Sequence, residues 1–289
     1  MNVLSVNMCG IQECVKRRRV AKLCNEHRIS FLEIQESRVG KVELFELKSM
    51  WGNFSFEFAV ASARGLSGGL ISMWDPAAFI RHKISCFENI IIVEGEWVFF
   101  KIRCFMINVY APQSEAHKRE MWEFINNFIG NNTGEFMVFG DFNAVRRRDE
   151  RWGCTVSQRE MDDFNSFILN SGLHEVSMGG FTFTRVSRNG DKMSKIDRFL
   201  VSDGVFAAYP NLSSIALDAS IADHRPICLK EEEADFGPKA FRLFKSWMQE
   251  DTFDKVVRES WGKEVGEQQE VVALMLKNKF KRLICDLKI

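Results

Sequence analysis

The junction at which Phe136-Met137-Val138-Phe139 passes directly into Gly140-Asp141-Phe142-Asn143 limits this chain more than any other segment. A short apolar run bounded by turn formers reads as a buried strand. Such a strand delivers Asp, Gly and Asn at its end, the place where open α/β sheets bind ligands. Far downstream, Asp223-His224-Arg225 leads into a second apolar stretch, Pro226-Ile227-Cys228-Leu229. Carboxylates, an imidazole and an amide at the ends of buried strands point to a hydrolytic site built around a hard metal ion.

Charge does not name a partner by itself. Lys+Arg and Asp+Glu are equal at 39 each, so attraction to a polyanion must come from local clusters. Lys16-Arg17-Arg18-Arg19 reads as a solvated face. Arg146-Arg147-Arg148 follows Asn143 closely, which places Arg146 and Arg147 beside the site as candidate substrate contacts. The eight cysteines are scattered, with no C-x-x-C pair. They read as reduced, mostly buried thiols of an intracellular protein without a disulfide-linked partner. The most apolar region, Phe87 to Tyr110, is interrupted by Glu88, Glu94, Glu96, Lys101 and Arg103. Those charges exclude a membrane span and fit consecutive strands instead.

Strand and helix patterns interleave, which gives an α/β or α+β class with stacked layers. Strands are expected at Asn2–Asn7, Phe31–Gln35, Phe56–Ala61, Gly69–Trp74, within Phe87–Tyr110, and at Phe136. Later strands are expected at Phe181–Thr184, Ile196–Val201, Ser214–Asp218 and Pro226–Lys230. Helices are expected over Val15–His27, Ser114–Ile129 and Ser157–Ser171. Arg64-Gly65-Leu66-Ser67-Gly68-Gly69 reads as a hairpin turn, because no Lys-Ser/Thr follows to make a phosphate loop. The acidic run at 231–235 and Gly237-Pro238 end the regular pattern. The chain thus divides into residues 1–230 and a 231–289 linker with a helical extension, with helices over Phe241–Trp261 and Glu267–Leu287.

Asn7, Glu36, Tyr110, Asp141 to Asn143 and Asp223-His224 each close a strand, and a doubly wound arrangement would bring them together. Mg²⁺, with Mn²⁺ as the alternative, takes oxygen ligands and leaves room for water and phosphate. Glu36 is the first choice of ligand, with Asn7 and Asp223 contributing. Asp141 suits the base that activates a water, and Asn143 the amide that orients it. His224 can hydrogen-bond a phosphoryl oxygen and needs a carboxylate to fix its tautomer. Asp197, inside the apolar run of Lys195-Ile196-Asp197-Arg198, is that candidate. Tyr110, in Asn108-Val109-Tyr110-Ala111-Pro112, is taken as a phosphate contact.

Asn7, Ile34-Gln35-Glu36-Ser37, Asn108 to Pro112, Gly140 to Asn143, Ser194 to Arg198 and Asp223 to Ile227 occur in that order. Together they resemble the endonuclease/exonuclease/phosphatase superfamily over residues 1–230. The resemblance implies a two-sheet, four-layer α/β sandwich, here with a helical C-terminal extension. Ser62 to Gly69, Gly140 to Arg146 and Met193 to Ser202 are similar to the endonuclease domain of plant LINE-type non-LTR retrotransposon polyproteins. That finer resemblance implies a nuclear enzyme that nicks DNA to leave a 3′-hydroxyl primer, with a reverse transcriptase in cis in the full polyprotein. Gly237 to Arg242 resembles the stretch that joins those two activities. By its place in Phe181-Thr182-Phe183, Thr182 is implied to contact DNA. Two positions depart from the pattern. Cys9 stands where the first motif usually carries Arg, and Phe183 where Trp is usual. The alternatives are a phosphatase or abasic-site nuclease of the same superfamily, and a decayed transposon fragment that only binds nucleic acid. Asp162-Asp163 lies in a helical pattern and is no polymerase motif.

Overall fold

The computed structural model describes residues 1–52, 55–63, 68–99, 101–218, 221–231, 252–262, 279–283 and 286. The chain separates into two compact units, Met1–Glu233 and Ala234–Ile289. The first unit opens with β1 (Asn2–Asn7), α1 (Cys14–Glu26), β2 (Phe31–Gln35), α2 (Leu44–Trp51), β3 (Glu57–Ala61) and β4 (Leu70–Trp74). There follow β5 (Phe79–Cys86), β6 (Ile90–Trp97), β7 (Ile102–Tyr110), α3 (Glu115–Gly130), β8 (Glu135–Asp141) and β9 (Arg151–Trp152). Next come α4 (Gln158–Asn170), β10 (His174–Glu175), β11 (Met178–Gly180), β12 (Arg185–Val186) and β13 (Met193–Ser194). The unit closes with β14 (Asp197–Val201), α5 (Asp203–Ala208), β15 (Leu212–Ala216) and β16 (Ile227–Glu231).

Two mixed sheets form the centre. One runs β11-β15-β16-β1-β2-β4-β3, the other β10-β14-β8-β7-β6-β5, and β12-β13-β9 makes a small third sheet. Strand periodicity assigns the layers. Along β1, Val3 joins the core shared by the two sheets while Leu4 and Val6 pack outward with Val20, Leu23 and Leu47 of α1 and α2. Along β8, Met137 and Phe139 face the shared core, and Phe136 and Val138 face Trp122, Phe164 and Phe167 of α3 and α4. The result is helix, sheet, sheet, helix: the four-layer sandwich expected from the sequence. The expected doubly wound arrangement does not occur, because the polar strand ends are divided between two facing sheets.

That alternation continues into the site. Asn7 shares the parity of Val3, Asp141 that of Met137 and Phe139, and Asp197 that of Phe199 and Val201. Each polar end therefore points between the sheets, and a one-residue register slip would turn it toward the helices. Gly140 makes the last turn possible. Its φ is +129°, and a Cβ there would lie 2.1 Å from the Val109 carbonyl oxygen.

Several expected elements differ. Phe181–Thr184 is no strand, since Phe181 and Thr182 are exposed while Thr184 turns fully inward. The expected Ser214–Asp218 strand spans Leu212–Ala216. β5 escapes the pattern because it is an edge strand whose Arg81-His82-Lys83 face solvent. α5 is too short to show a period, and α2 exposes its first two residues, Leu44 and Phe45. Among the described residues the thiols are not mostly buried: Cys24, Cys104 and Cys228 are, whereas Cys14, Cys86 and Cys154 are exposed and Cys9 is intermediate. In the second unit, α6 (Phe253–Gly262) overlaps the end of the expected Phe241–Trp261 helix, and Trp261 packs on Phe280 with ring centroids 5.2 Å apart. Most of Glu267–Leu287, and Arg64–Ser67, lie outside the described residues. No helix among the described residues is long and apolar enough to cross a membrane.

Gly140→Ala should lower stability by at least about 1–3 kcal/mol, the cost of holding an L-residue in a sparsely populated backbone region. A urea denaturation midpoint equal to that of the unsubstituted chain would show that β8 does not need this backbone shape.

Candidate active site at the mouth between the sheets

Three strand junctions fix the Asp141 carboxylate. β7 and β8 run parallel with Tyr110 beside Asp141, and antiparallel β14 sets Asp197 opposite Asp141. From the other sheet, the Asn7 side chain donates to Asp141 Oδ2 at 3.0 Å, and the Asn143 backbone N–H donates to Oδ1 at 2.9 Å. Asp141 is 1% exposed. Burial pushes its pKa up to about 6, against the opposing pull of His224 and with Asp197 adding to the rise. The carboxylate is thus ionised at neutral pH and only weakly so below it.

His224 stands at the entrance to β16. Its Nδ1 lies 3.1 and 3.0 Å from the two Asp197 oxygens, and its Nε2 lies 3.8 Å from Asp141 Oδ2. Burial favours the neutral ring, but Asp197 and Asp141 outweigh it and raise the pKa to about 9. The imidazole is held as a cation with Nδ1–H committed to Asp197 and Nε2–H directed toward Asp141. Thr184, which the sequence reading passed over, positions this pair. Its hydroxyl accepts from the Ile196 and Asp197 backbone N–H groups, both at 3.0 Å. The Arg225 N–H donates to the Thr184 carbonyl at 2.6 Å, tying the His224 segment to the same point. The only available signal was a second threonine in Phe181-Thr182-Phe183-Thr184, and burial alone told the two apart.

Beside this pair, oxygens converge on the Cys9 thiol. Asp223 Oδ1, Glu36 Oε2 and Asn7 Oδ1 lie 2.9, 3.4 and 3.5 Å from Cys9 Sγ. The other oxygen of each carboxylate faces an arginine: Glu36 Oε1 accepts from Arg38, and Asp223 Oδ2 lies 3.4 Å from Arg185 Nε. Burial opposes ionisation of Asp223, yet Cys9, His224 and Arg185 hold its carboxyl below the usual range. Burial and the two carboxylates push the Cys9 thiol well above the usual range. The Cys9 backbone N–H donates to Asn7 Oδ1 at 3.1 Å, which leaves one thiol proton for the two inward carboxylate oxygens. Cys9 and Glu36 both take left-handed backbone, with φ +46° and +56°, conformations held against strain at functional sites.

Two donor sets could therefore hold a divalent ion. Asp141, Asp197 and His224 offer ligand atoms within 4.8 Å of one another. His224 sets one positive charge against two carboxylates, and an ion that took the imidazole would have to displace its proton. Glu36 Oε2, Asp223 Oδ1 and Asn7 Oδ1 converge at the Cys9 thiol as an all-oxygen set, the donor chemistry that Mg²⁺ and Mn²⁺ take. Of the two, only the second offers oxygen donors alone.

Other predicted residues sit as follows. Tyr110 is half-buried, and burial, Glu36 and Asp141 all push its hydroxyl up. Asn143 (φ +47°) spends its side chain on the Ala111 carbonyl at 2.7 Å and on Gln113 at 3.0 Å. Arg146 turns inward to Asn165 and Glu175, both at 2.9 Å. Arg147 is exposed and pairs with Asp149. Thr182 is exposed.

A raised folded-state pKa makes His224 a source of stability that is full below its unfolded value of about 6.5. That contribution is lost as pH rises through about 9. Histidine NMR titration of the metal-free chain should show one imidazole with a midpoint near that value, shifted down in Asp197→Asn. A midpoint at or below that of a free imidazole would disprove the ion-paired arrangement.

Residues 104–228 match the family model described as endonuclease-reverse transcriptase. No curated protein matches the chain. Among solved structures, the 3′ phosphatase NExo from Neisseria bound to product DNA hairpin is similar at a TM-score of 0.63 and 16% identity, over 80% of this chain and 99% of that one. The AP endonuclease LMAP from Leishmania major follows at 0.60 and 14%, over 79% and 86%. The endonuclease domain of TRAS1, a telomere-specific non-LTR retrotransposon, gives 0.57 and 14%, over 80% and 98%. The chain thus has the endonuclease/exonuclease/phosphatase fold, and across residues 104–228 it matches the endonuclease-reverse transcriptase family.

Proposed function

We propose that the chain is a divalent-metal-dependent phosphodiester hydrolase, and specifically a DNA-nicking endonuclease of the non-LTR retrotransposon kind. The observation that carries this reading is the meeting of a buried ionisable carboxylate, Asp141, with an imidazolium held by Asp197, 3.8 Å away at Nε2. Asp141 takes a proton from the attacking water, with Asn7 and the Asn143 N–H fixing its two oxygens. His224 donates Nε2–H to a phosphoryl oxygen as negative charge develops on it. Asp197 keeps the ring protonated and oriented, and Thr184 keeps Asp197 in place. A divalent cation held by Glu36, Asp223 and Asn7 would neutralise phosphate charge and polarise the scissile bond. The working pH window lies between about 6, where Asp141 ionises, and about 9, where His224 loses its proton.

DNA as the substrate draws support from the endonuclease-reverse transcriptase match and from the likeness to NExo, bound to a DNA hairpin. Joined to a reverse transcriptase in cis, the 231–289 segment would serve as the linker. Nuclear action follows from that reading. The assembled Asp141, Asp197 and His224 count against an inert fragment.

Supercoiled plasmid should be converted to open circle by the chain with Mg²⁺ and not with EDTA. Asp141→Ala and His224→Ala should each lose roughly 10²–10⁴-fold in rate, the scale of general acid–base and electrostatic terms. Nicking that survives both substitutions would sink the mechanism. Release of phosphate from a 3′-phosphorylated oligonucleotide without nicking would favour a phosphatase.

The two donor sets are separable without activity. Mn²⁺ binding followed by electron paramagnetic resonance should weaken at least tenfold in Glu36→Gln, where tenfold is about 1.4 kcal/mol, and persist in His224→Gln. The reverse pattern would move the ion to the Asp141–Asp197–His224 cluster.

A further inference from the structure

We propose that the cavity beside Tyr110 is a nucleobase subsite, which receives an unstacked base of the strand whose phosphate lies at Asp141 and His224. This deepens the phosphodiester reading above and rests on it. The cavity measures about 640 Å³ and shares Tyr110, Ala111 and Gln113 with the end of β7 and the segment after it. That volume lies within the roughly 300–1,000 Å³ of small-molecule sites, enough for a base and its sugar. Its wall carries two aromatic rings that solvent reaches, Phe87 at 45% and Phe124 at 37% exposure. They meet edge to face, with centroids 4.9 Å apart and planes at 67°. Met121 and Ile90 extend the apolar surface, the Asn89 and Gln113 amides supply donors and acceptors, and Glu88, His117 and Glu120 also line the cavity.

The other flanks of the site have the opposite character. A 290 Å³ cavity next to Asn143 is lined by Lys118, Arg151, Arg185 and Lys192. A 630 Å³ cavity next to Cys9 and Asp223 is lined by Lys16, Arg38 and Arg188. Gln113 belongs to both the aromatic and the first basic cavity, and its side chain donates to Asn143. Cationic walls complement a phosphate backbone, while exposed aromatic rings complement the face of a base and are sequence-tolerant platforms for it. A base inside a duplex presents only its edges, so contact with a ring requires the base to leave the stack. One substrate that is anionic along one side and flat and aromatic along the other satisfies all three cavities, as a single nucleic-acid strand does.

A double-mutant cycle tests this without catalysis. Fluorescence anisotropy would measure binding of the full chain to oligonucleotides in EDTA, with a tetrahydrofuran residue replacing one base at each successive position. At one position, loss of the base should weaken binding about tenfold or more in the unsubstituted chain, on the scale of a lost base–aromatic stack. The same loss should have no effect in Phe124→Ala, with Phe87→Ala as the second variant and thermal melts showing that both fold. Binding to DNA with base loss and ring loss additive at every position would overturn the subsite and leave the phosphodiester reading intact. Failure of the unsubstituted chain to bind any DNA would overturn both.

Discussion

The hydrogen bond from Asn7 to Asp141 Oδ2 crosses from one central sheet to the other and spans 134 positions of chain. It forms only if β1 and β8 arrive at the same edge of the sandwich with the same parity. Farther in, Gln35 donates to Asn108 Oδ1 at 2.7 Å, a second polar tie between the sheets. Below these ties Ser72 donates to the buried Glu33 carboxyl between the sheets, and deeper still Phe31, Trp74, Phe79 and Trp97 pack ring to ring. Packing of that density allows little sliding. The polar ends of β1, β2, β7, β8 and β14 are therefore carried to the mouth by a rigid frame.

Charge at the mouth is divided rather than pooled. His224 bridges Asp141 and Asp197, while Glu36 and Asp223 each give one oxygen to an arginine and keep one facing inward. A further network stands behind β14. Arg198, wholly buried, bonds Glu150 and Glu175, and Lys195 and Arg146 also reach Glu175. Burial would raise the Glu175 pKa, yet these cations hold it down at about 2. Removing one partner of such a network leaves an uncompensated buried charge, which is far costlier than losing a surface pair. Arg146 therefore has a structural engagement that its place after Asn143 did not disclose.

Much of the fold was legible because burial on both faces of a strand writes long apolar runs, as at β4 and β8. The edge strand β5 and the six-residue α5 were not legible, since neither buries enough to leave a period. In the site, Asp141, His224 and Asp197 could be read from polar residues embedded in apolar runs, where an ionisable group needs a partner. Thr184 could not, because its neighbour Thr182 has the same chemistry and only the inward turn of the chain separates them. Cys9 was visible as a substitution in a motif. That it sits where three oxygens meet became apparent only in three dimensions.

The sequence by itself determined the layered α/β class, the strand-end positions of Asn7 and Asp141, and the residue types from which hydrolytic chemistry is made. All of these follow from local periodicity and from the cost of burying charge. Tertiary structure decided which carboxylate meets His224, which oxygens face Cys9, that Arg146 pairs with Glu175, and that an aromatic cavity opens beside Tyr110. Those facts depend on contacts between residues far apart in the chain. Their geometry is set by how two sheets pack face to face, and no local pattern encodes that distance.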